Sequence, residues 1–208
     1  MGVLAGELLM DGAFTQTSMK STLTKQYPVV HVASHFKFSP GNDDSSFLLI
    51  GDGSHLSVSA LKALPNIFSG VQMLTLSACN TGVGDVPGEG KEVEAFGVVA
   101  QRKGAKSVIA SLWPVADAST SLLMREMYRI REPGGGVTKV EALRQAQIGL
   151  LRGTAAALPG SGAQRALVHE DPPGGARKVE APAFRTAKEA PYAHPYFWAP
   201  FFLMGNWL

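Results

Sequence analysis

Residues 71–79 read VQMLTLSAC, a mostly apolar run that leads straight into the only cysteine of the chain. A stretch that keeps apolar side chains on both alternating faces fits a strand covered on both sides, as in a parallel sheet sandwiched by helices. Working outward, Tyr27–Ser34 (YPVVHVAS) and Ser107–Leu112 (SVIASL) have the same character. Phe47–Ile50 reads as a shorter strand ending in the turn Gly51-Asp52-Gly53, and Phe201–Met204 as a last strand before a turn at Gly205-Asn206. Between them lie helical patterns. Residues 14–26 carry Phe14, Met19 and Leu23 on one side, and Val58–Leu64 follows Ser57 as its cap. Lys91–Gln101 is stopped by Gly104, and Asp117–Arg129 and Thr138–Arg152 follow. In the last of these, Val140, Leu143, Ile148 and Leu151 are expected to face one way. Buried strands alternating with helices imply an α/β domain with a central, mostly parallel sheet.

Composition narrows the function. The 208 residues are 45% hydrophobic and 17% charged, the balance of a single globular domain rather than a disordered chain. A net charge of +2 gives no electrostatic case for nucleic acid or for a membrane surface. No apolar run approaches the ~18 residues of a membrane span, and the start (MGVLAGELLMDGAFT) lacks the basic cluster of a signal peptide, so a cytoplasmic location is expected. One cysteine excludes an internal disulfide and a Cys-only zinc site. Residues 154–191, rich in Ala, Pro and Gly and without sustained period, read as a flexible insertion in one domain spanning 1–208.

Phosphate and metal motifs fail on inspection. Gly90-Lys91 would end a P-loop, but its first glycine position is Asp85 and its magnesium position is Glu92. Gly51-Asp52-Gly53 would need a glycine at 56 to bind a dinucleotide, and that residue is Leu56. No G-x-S-x-G elbow and no H-E-x-x-H pair occurs, so neither metal nor cofactor is expected. What remains is His35 and Cys79, each just past the carboxyl end of an expected buried strand, where α/β sheets build their sites. An adjacent imidazole can activate a thiol whose ordinary pKa is about 8.5. Spacing alone leaves Cys79 open between structural core and nucleophile. His31, between Val30 and Val32, is expected to be a buried core histidine.

The strings LSACNTGVGD (76–85), GVVAQRKGAKSVIASLWPVAD (97–117), EALRQAQIGLLRG (141–153) and HPYFWAPFFLMGNW (194–207) resemble the CHAT domain. CHAT domains are caspase-like modules often found after TPR repeats in bacterial proteins. The likeness runs from about residue 27 to the C-terminus, apart from 154–191. It implies a caspase-like three-layer sandwich and a cysteine endopeptidase acting on proteins or peptides, without a cofactor. The family histidine of the A-S/T-H motif falls on His35 and the cysteine of L-S-A-C on Cys79. The resemblance further implies that the backbone N–H groups of Cys79 and Phe36 hold the oxyanion. Phe36 stands where the family commonly has glycine, so its side chain is expected to border the cleft. Asp117 is either a helix cap or a carboxylate lining the substrate pocket. Trp113 and Pro114 are expected to shape a turn, Arg144 and Gln145 to stabilise their helix, and His194 to pack in an aromatic cluster. Residues 1–26 read as a lead-in from a longer upstream region carrying a TPR-type or other regulatory part. The competing classes are a CHAT-like protein-interaction module with a silent dyad, and an α/β hydrolase of small molecules.

Overall fold

A computed structural model describes residues 3–37, 39, 41–77, 91–113, 116–131, 136–155 and 187–208, with residues 91–95 as backbone only. In it the apolar runs become β1 (Val29–Ala33), β2 (Phe36–Lys37), β3 (Phe47–Leu49), β4 (His55–Ser57), β5 (Met73–Ser77), β6 (Ser107–Ser111) and β7 (Phe201–Gly205). The helices are α1 (Gln16–Leu23), α2 (Val58–Ala63), α3 (Lys91–Arg102), α4 (Asp117–Arg131) and α5 (Lys139–Arg152). The main sheet has the order β1-β5-β6-β7, with β1, β5 and β6 parallel and β7 antiparallel to β6. A second, antiparallel sheet, β2-β3-β4, follows β1 directly. Neither β2 nor β4 carries the length or the alternation that would mark it as a strand in sequence.

Alternation along the strands divides the interior in two. Val32, Leu74, Leu76, Val108 and Ala110 pack on one face with residues of α1, α2 and α3 and the inner side of the small sheet. Met73, Ile109 and Phe201 pack on the other against Leu123, Met127, Ala142, Ala146 and Leu150 of α4 and α5. The result is the expected three-layer sandwich. Burying each such large side chain contributes about 1.5–3 kcal/mol.

Local signals explain the helix ends. Ser57 Oγ accepts the Ala60 N–H at 3.1 Å, and Thr138 Oγ1 accepts the Glu141 N–H at 3.3 Å. Gly104 stops the turn after α3 at φ +111°, a conformation that favours glycine, with the Phe68–Ser69 backbone too close for a Cβ atom. The face of α5 differs from expectation. Ala142, Leu143, Ala146, Gly149 and Leu150 are buried, whereas Val140 and Leu151 are exposed. At about 3.6 residues per turn Ala142, Leu143, Ala146, Gly149 and Leu150 share one stripe, and Val140 and Leu151 fall on the opposite side.

Candidate active site

Strands β1 and β5 are parallel neighbours in the register Val29↔Met73 through Ala33↔Ser77. Both end at the same edge of the sheet, and β6 ends beside them. Segments leaving adjacent parallel strands at one level emerge about 4.8 Å apart. His35 leaves β1 there, two residues past Ala33. Cys79, two residues past Ser77 in sequence, lies outside the described residues, as do Pro114 and residues 156–186 of the expected insertion.

His35 is exposed, and its backbone is fixed from the small sheet. Ser34 Oγ donates to the Leu49 carbonyl at 2.5 Å, and the Leu49 N–H donates to the His35 carbonyl at 2.8 Å. This pair of bonds turns the chain out of β1 into β2. Because Leu49 donates to His35, the opposed pair Phe36↔Leu48 is of the non-hydrogen-bonded kind, and the Phe36 N–H points away from β3. The Phe36 side chain does not border a cleft, contrary to expectation. It is buried in the core, edge-to-face against Phe96 with ring centroids 5.0 Å apart. Pairing with Leu48 directs it inward, onto the face that Leu48 and Leu56 also cover.

His31 also departs from the sequence reading. It is exposed, not buried in the core. Strand β1 lies at the end of the sheet, and the α4–α5 layer leaves the outward face of His31 and Ala33 open, while Val32 on the opposite face is buried. His31 Nε2 lies 2.7 Å from Ser77 Oγ, either atom donating according to the tautomer. Its ring centroid is 5.9 Å from that of Tyr128 on α4. Desolvation by the packing around the ring favours the neutral imidazole and lowers its pKa from 6.5 to about 4, although the residue as a whole is exposed. Beneath it, the Tyr128 hydroxyl donates to buried Thr75 Oγ1 at 2.8 Å, and burial pushes that phenol up to about 12.

Asp117 is exposed at the start of α4. The Ala116 carbonyl accepts from the Thr120 N–H and the Ser119 hydroxyl, so Asp117 stands in the first turn rather than at the cap. A carboxylate there is favoured by the helix dipole. Trp113 donates its indole N–H to the Tyr196 carbonyl at 3.0 Å, tying the end of β6 to the C-terminal aromatic segment. His194 is exposed and accepts the Tyr196 N–H at 3.1 Å, capping a short 3-10 turn. Arg144 and Gln145 both bond Glu141 along α5, as expected, and Arg144 is the chief cause of a Glu141 pKa lowered to about 2. No group of three His, Cys, Asp or Glu among the described residues converges as a metal site. Sequence reasoning missed Ser34 and Ser77, although a hydroxyl at the end of each apolar run was visible.

A central, mostly parallel sheet with helices on both faces is consistent with a caspase-like fold. The CHAT domain family matches residues 2–206, and the chain belongs to that family, which is caspase-like. No curated protein matches it. No helix among the described residues is long and apolar enough to cross a membrane.

Proposed function

We propose that this chain is a cysteine endopeptidase acting on protein substrates. The observation that carries this reading is the β1–β5 register, which ends both strands at one level, two residues short of His35 and of Cys79. In the proposed reaction His35 accepts the Cys79 thiol proton, and the thiolate attacks the peptide carbonyl carbon. The tetrahedral intermediate collapses as the C–N bond breaks, and His35 returns its proton to the departing amine. Water, deprotonated by His35, then hydrolyses the thioester and restores the thiol. The N–H groups of Phe36 and Cys79 receive the oxyanion, and each well-aimed donor contributes about 3–4 kcal/mol. The outward turn of the Phe36 N–H supports its part in this. An upstream sensor or repeat region regulates the domain in this reading.

A labelled peptide library, read by mass spectrometry, tests the class. Cleavage at internal peptide bonds supports the endopeptidase. Binding of proteins without cleavage under any condition would instead identify an interaction module.

Asp117, exposed beyond the carboxyl end of β6, is proposed to select Arg or Lys before the scissile bond. Asp117→Asn should then lower kcat/KM for those substrates about tenfold while sparing neutral ones. A cleavage profile favouring aliphatic residues in wild type would leave Asp117 with its helix-dipole role alone.

The segment 154–191 is proposed to be an insertion outside the catalytic framework. A Cβ atom on Gly153, at φ +69°, would meet the Glu189 carbonyl oxygen at 2.1 Å, so the chain returns against the point it left. Replacing residues 156–186 by a short Gly/Ser link should therefore leave the Tm within about 5 °C. A larger fall would show that the segment is part of the core.

A further inference from the structure

The hydrogen bond between His31 and Ser77 is not used by the reaction just described, yet it joins the two strands on which that reaction depends. His31 lies opposite Thr75, so the bond to Ser77 runs diagonally toward the carboxyl edge of the sheet. It spans the last three rungs of the β1–β5 ladder, from His31↔Thr75 to Ala33↔Ser77. Strand β1 pairs only with β5 among the described residues, so a single ladder holds its end in the main sheet. Ser34 and His35 are tied to Leu49 of the small sheet, but that sheet does not join β5. The only side-chain bond described between β1 and β5 is therefore His31–Ser77, four residues before His35 and two before Cys79.

We infer that His31 is a positioning residue, whose bond to Ser77 holds the ends of β1 and β5 in register and thereby sets the reach of His35 to Cys79. The inference rests on the Cys79/His35 reading above. Two further contacts suit the role. Tyr128 from α4 limits the tilt of the imidazole, and Tyr128 is itself anchored to Thr75 on β5. Ser77, Thr75 and Tyr128, which form the chain of contacts from His31 to β5 and α4, are uncharged at neutral pH, and Arg131 of α4 is the charged group that acts on Tyr128.

Cys79 is the only thiol, so iodoacetamide reports on it alone, without need of a substrate. At pH 6.5, His31→Ala and Ser77→Ala should each slow alkylation about five- to tenfold relative to wild type. The double variant should be no slower than either single one, because they remove the same bond. His31→Gln, whose amide can still reach a hydroxyl, should recover part of the rate, and thermal melting of each variant confirms that it is folded at the assay temperature. If His35→Ala slows alkylation but His31→Ala and Ser77→Ala do not, the positioning role is wrong and the dyad stands. If His35→Ala itself has no effect, it is the dyad that fails. Loss of rate that is additive in the double variant would also overturn the inference.

Discussion

Cys79→Ala and His35→Ala should each abolish peptide cleavage, with a loss on the order of ten-thousand-fold, and the double variant should be no worse than either. The equality follows from the chemistry. Without the thiol no thioester forms, and without the imidazole the thiol stays largely protonated at neutral pH and the departing amine has no proton donor. Either loss removes the whole covalent route, so the second costs nothing more. His31 provides the internal contrast. It is a histidine of β1, four residues before His35, but its substitution should lower the rate only partially, because it touches Ser77 and not the reacting atoms. A Cys79→Ala protein that still cuts its substrate would exclude the mechanism.

The largest effect on stability is expected in the strand that leads to Cys79. Leu74→Ala should cost about 3–4 kcal/mol in urea-induced unfolding, a large part of the 5–15 kcal/mol typical of a domain. Leu74 is fully buried, and β5 has a paired strand on each side. Its neighbours on that face, Leu76 and Val108 among them, are held by ladder hydrogen bonds and cannot close the cavity. Ile109→Ala, on the opposite face of β6, should cost a similar amount through the contacts of α4 and α5. A cost below about 1 kcal/mol for Leu74 would be incompatible with the central place of β5.

The parts of the fold legible in sequence are those where a single physical signal dominates. The apolar runs of β1, β5 and β6 and the cap Ser57 fall where periodicity and hydroxyl placement put them, and Thr138, read as the first residue of its helix, proves to be the cap. The small sheet was less visible, because β2 and β4 span two and three residues and gain their order from pairing with β3. His31 misled because alternation fixes which face a residue takes but not whether a helix covers that face. Being at the sheet edge is a property of strand order, which no local pattern carries. Phe36 misled in the opposite sense: its place next to His35 suggested a cleft wall, while pairing with Leu48 drew the ring into the core. Its backbone role depends on the type of rung it occupies, and only the Leu49–His35 bond reveals that. Of the candidate site, the positions of the histidine and the strand ends were readable; the ties through Ser34 and Ser77 were not.

The coupling of His35 to Cys79 is tested most directly by the pH dependence of Cys79 alkylation in wild type and in His35→Ala, under conditions where the wild type cleaves peptide. An assembled dyad should give a thiol that reacts well below pH 8.5, and loss of His35 should return the midpoint to about that value. Identical profiles centred near pH 8.5 in an actively cleaving protein and in its His35→Ala variant would contradict a dyad of Cys79 and His35.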